Sequence, residues 1–203
     1  MNVVEERFRP ENVDTDDREA MEAMQAEIAE TAVFEDAAGV SPEAIRSGEA
    51  VVAGVDQAFP DGRAVSAVVA LRDGEVIERA SAVRSRSMPN VPGLLAFREG
   101  PPVIAALSAL ETDPDLVVFD GSGRIHYREA GIATHAGVCF DVPSIGVAKS
   151  LLCGRPRAPT DELAAGETVP IEADDSMTAA EGTVVGYAYQ SRQFPDSKLI
   201  NPI

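Results

Sequence analysis

VVAGVDQAF (residues 51–59), AVSAVVALR (64–72) and VIERASAVR (76–84), followed by DLVVFD (115–120), are the stretches that decide the fold. The first three are rich in β-branched residues. Pro60-Asp61-Gly62-Arg63 and Asp73-Gly74 supply turn chemistry between them, which predicts a three-stranded antiparallel meander. A Pro/Gly-rich loop, MPNVPG (88–93), comes next. Residues 101–111 open on two prolines and carry Val103, Ile104, Leu107 and Leu110 on one face, the spacing of a helix. DLVVFD then reads as a fully buried strand, and strand, helix, strand in that order requires a parallel crossover.

Further out, a Gly-rich loop (121–131) leads to a helix at 133–140 and a short strand at Ser144–Val147. An acidic excursion follows and ends in TVVGYAYQS (183–191). Upstream, residues 1–15 read as irregular. Asp16 and Asp17 open a helix to about Ala32 with Met21, Met24 and Ile28 at helical spacing, and Ser41-Pro42-Glu43 caps a short helix that Gly48 ends. The element order predicts one α/β domain over residues 1–203. It is ribonuclease-H-like, a mixed sheet of three antiparallel strands followed by parallel ones, with helices on both faces.

The 203 residues are 45% hydrophobic and 25% charged, enough apolar material for one core, which excludes fibrous, low-complexity and disulfide-scaffold classes. The 34 acids against 17 Lys and Arg give a formal charge of −17, which should repel polyanions unless the charge is unevenly placed. It is uneven: residues 1–50 carry 14 acids and 4 bases, whereas 84–157 carry 7 acids and 8 bases, the one stretch a phosphate backbone could approach. The acidity and the scarcity of lysine resemble proteins of salt-accumulating cells. Cys139 and Cys153 lie among apolar neighbours without C-x-x-C spacing, so they read as buried thiols in a reducing compartment, with neither disulfide nor zinc. The N-terminus lacks a signal-peptide pattern and no apolar run approaches bilayer length, so the expectation is a cytoplasmic protein with no membrane contact.

Three carboxylates draw attention. Asp56 interrupts an apolar strand, where a charge needs a cationic partner, an arginine or a metal ion. Asp120 ends DLVVFD just before Gly121, a place for a turn residue or a ligand. Glu99 precedes Gly100-Pro101-Pro102, where it could complement a helix N-terminus or reach the same rim as the two aspartates. The topology sets Asp56 and Asp120 on adjacent strands. A carboxylate site without Cys or His suits Mg²⁺ or Mn²⁺ and phosphoryl chemistry. The loop GSGRIH (121–126) departs from the dinucleotide fingerprint at His126, and no phosphate-loop or Gly-x-Ser-x-Gly motif occurs.

VAGVD (52–56), PNVPGLLAFREGP (89–101), PDLVVFDGSG (114–123) and GIATHAGVCFDVPSIGVAKSLL (131–152) resemble the endonuclease V family, from about residue 20 onward. The resemblance implies a Mg²⁺-dependent repair endonuclease, with Mn²⁺ as an alternative ion. It recognises inosine, deaminated adenine, in DNA or RNA, and cuts the second phosphodiester bond 3′ to it, leaving 3′-hydroxyl and 5′-phosphate ends. It implies catalytic roles for Asp56, Glu99, Asp120 and Lys149. Asp56 and Asp120 are metal ligands, Glu99 completes the acidic site directly or through water, and Lys149 in IGVAKS holds the scissile phosphate. Asn90, Gly93, Gly121, His126 and Gly146 fall at lesion-binding positions, the glycines leaving room for backbone beside a flipped base. His135, inside GIATHAGV, reads as a packed structural residue. A monomer is expected.

Two departures qualify the resemblance. The family's Tyr-Ile-Pro-Gly wedge is Asn90-Val91-Pro92-Gly93 here, and asparagine cannot stack on a base; Ser122 stands where DG-x-G usually carries histidine. The sequence also stops at Asn201-Pro202-Ile203, before the family's Gly-His loop and final helix. The rival expectation is therefore an inosine-binding module that cuts poorly.

Overall fold

The computed structural model of the chain describes residues 1–35, 40–85, 88–192 and the backbone of 201–202. The meander forms as read: β1 (Val52–Ala58), β2 (Arg63–Arg72) and β3 (Glu75–Ser85) pair antiparallel, with Asp56 opposite Ala67. Asp61, Gly62, Asp73 and Gly74 take positive φ of 46°, 76°, 52° and 72°, the left-handed geometry of tight hairpin turns. β4 (Leu116–Asp120) lies parallel to β1, and β5 (Ser144–Val147) parallel to β4, so the strand order is β3-β2-β1-β4-β5.

The two-residue strand period sorts this sheet into two faces. Ala53, Val55, Val68, Val117 and Phe119 are buried beneath α3 (Leu95–Ser108) and α4 (Ile132–Phe140), and α1 (Arg18–Thr31) packs on α4. Asp17 accepts a hydrogen bond from the Ala20 amide at the N-terminus of α1, and Ser41 caps α2 (Pro42–Arg46) in the same way. The other face, with Gly54, Asp56, Ala67, Val69, Val118 and Asp120, is half-buried or exposed and lines an open cavity of about 500 Å³. Helices on both faces are thus not found among the described residues. After β5 no helix follows among the described residues. The chain builds a second sheet from β6 (Arg155–Pro156), β7 (Thr168–Glu172), β8 (Val184–Tyr189) and β9 (Asn201–Pro202), in that order. That sheet builds its own core of Val169, Ile171, Met177 and Val185, within the stretch that reads as an acidic excursion, together with Ile125 from the loop after β4.

Two further readings are corrected. The crossover helix starts at Leu95, not at the prolines, so Pro101 and Pro102 lie within it and forgo two backbone hydrogen bonds. Burial of Ala96, Phe97, Val103, Ile104 and Leu107 on the same helix outweighs that loss, and Glu99 therefore sits inside the helix rather than ahead of it. Residues 1–15 are not irregular throughout. They form two 3₁₀ turns (Glu6–Phe8 and Pro10–Asn12), and the amides of Val4 and Glu5 donate to the Cys139 carbonyl at 2.8 and 3.1 Å.

Candidate active site

β1 and β4 run parallel with Val55 beside Phe119, so the next residue on each strand, Asp56 and Asp120, reaches the same rim on the same side. Both line the open cavity with Val147 of β5. Two residues beyond Val147, the exposed Lys149 donates from Nζ to Asp120 Oδ2 at 2.6 Å. That hydrogen bond, with the charges of Asp120 and Asp56, raises the lysine's pKa, so it is a firm cation at neutral pH. Glu99 is 6% exposed, and burial pushes its carboxyl up to about 7, opposed by Arg98 and reinforced by Asp120. The fold therefore brings Asp56, Asp120 and Lys149 together and places Glu99 within electrostatic reach of Asp120. No three His, Cys, Asp or Glu side chains among the described residues form a metal-holding group. Two adjacent hard-oxygen carboxylates, already drawing one cation, are nonetheless a donor set that fits Mg²⁺, which is commonly held by one or two carboxylates with waters and phosphate oxygens completing the shell.

The loop after β4 is packed through glycine. A Cβ on Gly121 would lie 2.6 Å from Ile132 Cγ2, and one on Gly146 would lie 2.5 Å from the Gly121 carbonyl oxygen and collide with the Gly123 nitrogen. The recess there, lined by Ser122, Gly123, Ile125, Gly146, Ala148 and Leu152, measures about 10 Å³, room for about one water and not for a purine.

Gly93 and His126, which the sequence places far apart, meet. His126 Nδ1 accepts from the Arg128 amide at 3.1 Å, so the proton sits on Nε2, which donates to the Gly93 carbonyl at 3.0 Å. Burial depresses the ring's pKa to about 4, leaving it neutral with both nitrogens engaged. Met88 and Leu94 anchor the ends of the loop in a small core with Met21 and Phe97, and Asn90 is exposed at its tip. Gly93 has φ +80° with Tyr127 against it, a position for glycine alone. Gln25 of α1 donates to the same Gly93 carbonyl at 2.8 Å and accepts from Arg128 at 3.2 Å. Neither Gln25 nor Arg128 stands out in the sequence, although an amide in line with Met21 and Ile28 on an apolar stripe was a legible signal. His135 is packed as expected, edge-on to Phe97 and hydrogen-bonded to the Phe8 carbonyl at 2.7 Å. Cys139 and Cys153 are buried free thiols. No helix among the described residues is long and apolar enough to cross a membrane.

The model of the Endonuclease V family matches residues 36–200. The chain is 64% identical to an Endonuclease V of Natronomonas pharaonis over all 203 residues, 81% of that relative's length. Its fold is similar to that of the Bacillus subtilis Endonuclease V crystal structure, with a TM-score of 0.79 and 30% identity, covering 100% of this chain and 80% of that one. It also shares its fold, at TM-score 0.70 and 22% identity over 94% of this chain and 83% of that one, with a Ciona intestinalis Endonuclease V solved in complex with DNA containing an inosine followed by a ribo-adenosine.

Proposed function

Because the chain belongs to the endonuclease V family and is an endonuclease, we propose that it recognises inosine in nucleic acid and hydrolyses the second phosphodiester bond 3′ to it, leaving 3′-hydroxyl and 5′-phosphate ends. The observation that carries this reading is the rim where Asp56 and Asp120 end neighbouring parallel strands, with Lys149 Nζ 2.6 Å from Asp120. In this reading the sheet is a ribonuclease-H-like platform, and Asp56 and Asp120 would hold Mg²⁺ or Mn²⁺. Bound there, such a cation supplies Lewis-acid charge for the phosphoryl group and lowers the pKa of a water.

The chain's own residues account for the remaining roles. Lys149, charged and exposed at the end of a flexible stem, can exchange Asp120 for a phosphate oxygen and steady the charge that develops there. Glu99, buried on α3 beside Asp120, would complete the acidic site directly or through water. Gly121 and Gly146 let backbone approach a base, although a purine enters only as the small recess beside them widens. Asn90 stands at the tip of the loop that would meet the flipped base, offering hydrogen bonds in place of stacking. DNA containing inosine is the ligand class held by the Ciona protein, and that lends support to the same class here. The two buried thiols suit the reducing interior of a cell.

Incubation of the chain, at low and at molar KCl, with end-labelled single-stranded and duplex oligonucleotides bearing one inosine tests the reading. Cutting one nucleotide beyond the inosine with Mg²⁺, and none with EDTA or in Asp120→Ala, is the expected result. Binding without cutting at either salt would support the poorly cutting module instead, and indifference to inosine would overturn the substrate.

A further inference from the structure

Gln25 is 0% exposed and stands in line with Met21 and Ile28, the buried apolar residues of α1. An amide is costly there unless both its ends are satisfied, and here they are. Its Nε2 donates to the Gly93 carbonyl and its Oε1 accepts from Arg128 Nη1. Arg128 also pairs with Glu22, one turn earlier on α1, and Arg18 donates to Glu22 at 2.8 Å. His126 closes the circuit, since it binds the same Gly93 carbonyl and accepts the Arg128 amide. Both lone pairs of one carbonyl, at the end of the Asn90–Gly93 loop, are therefore filled by buried donors from two different elements. Among the described residues none of these groups hydrogen-bonds or ion-pairs with Asp56, Asp120 or Lys149, and α1 lies outside residues 36–200 that the family model matches.

We propose that Gln25 is a positioning residue that sets the preference for an inosine-bearing strand over an unmodified one, by holding the Asn90–Gly93 loop in its base-contacting shape before nucleic acid arrives. This rests on the inosine reading above. A loop that must be ordered at the moment of binding subtracts from affinity, whereas one already held does not. An unmodified strand meets the rim through its phosphates alone, so the clamp contributes nothing to it. A strand with an extruded base also engages the loop, so the clamp acts on lesion affinity and leaves the chemical step alone.

Gln25→Met keeps the length and apolar packing of the side chain and removes both hydrogen bonds. In the full chain with Ca²⁺, affinities for a single-stranded oligonucleotide carrying one inosine and for its adenine counterpart give a discrimination ratio. That ratio is expected to fall by about three- to tenfold, the worth of the single hydrogen bond that Gln25 makes to the loop. The rate of cutting at saturation in Mg²⁺ should stay unchanged, and the amides of Val91 and Leu94 should exchange faster. A folded variant with an unaltered ratio, or one that loses cutting rate in proportion, overturns the proposal. If Gln25→Met does not fold, Arg128→Lys serves, because a lysine cannot serve Glu22 and Gln25 together in the geometry of the guanidinium fork. The same fall is expected, and an unaltered ratio again overturns it. A parent chain that binds both strands alike overturns the inosine reading together with the clamp's role. That result is distinct from one in which the parent discriminates and the variant does so equally well.

Discussion

On the helix-covered face of the five-stranded sheet, Val55 and Phe119 are 3% and 1% exposed, packed under the crossover helix. One residue further along each strand, on the open face, Asp56 and Asp120 stand at the rim of a cavity of about 500 Å³. The alternation that delivers one side chain to the core delivers its neighbour to the opposite side. A carboxylate at that neighbouring position costs the core nothing, because it stays in contact with water. Core packing and the proposed chemistry are thus divided between adjacent residues rather than between regions of the chain.

Substitutions on the two faces should separate cleanly. Asp120→Ala is expected to lower cutting by at least about a thousandfold, the several kcal/mol that a bound cation contributes to the transition state. Its thermal midpoint should not fall, since no buried contact is lost. Phe119→Ala should cost about 3–5 kcal/mol in a denaturant titration. Val118→Ala, the adjacent residue on the open face, should cost about 1 kcal/mol or less. Equal losses at positions 118 and 119 would mean that the open face is covered in solution.

Glu99 joins the two regimes, being buried on the crossover helix and yet coupled to Asp120. Its folded pKa of about 7 lies above the ordinary 4.5, so the folded state binds the proton more tightly. Its contribution is therefore lost as pH rises from about 4.5 to 7. His126 and His135, depressed from 6.5 to about 4, act in the opposite sense and add stability as pH rises through that interval. Comparison of the metal-free protein with Glu99→Gln isolates the glutamate. The variant should be the more stable, by a margin that grows from pH 4.5 to 7, reaches on the order of 3 kcal/mol and stays flat above. A constant margin would mean that Glu99 titrates near its ordinary pKa.

The meander, the crossover strand and the short strand at Ser144–Val147 are legible because strand period and turn residues agree there, although DLVVFD, read as fully buried, leaves Val118 and Asp120 on the open face. The start of the crossover helix was hidden, because Pro101 and Pro102 argue locally for a beginning, and the packing of Phe97 and Val103 decides otherwise. The second sheet was hidden for a different reason. Its short strands, such as Thr168–Glu172 and Val184–Tyr189, are joined by irregular connections rather than tight turns, and no turn pattern announces the pairing. Within the site, Asp56 and Asp120 could be paired from topology alone. The Gly93 clamp could not, since it depends on a carbonyl, which every residue has, meeting side chains from α1 and from the loop after β4.

The order of the strands also governs when the site comes into being. The β1–β2–β3 hairpins need only neighbouring chain and can close quickly, whereas β1 and β4 align only after a long loop and the crossover helix have been gathered in. Asp56 has no neighbour in Asp120 until that late event. On the proposed reading, a half-folded chain therefore carries Asp56 and Asp120 without a site, and cutting awaits the pairing of largest sequence separation in the sheet.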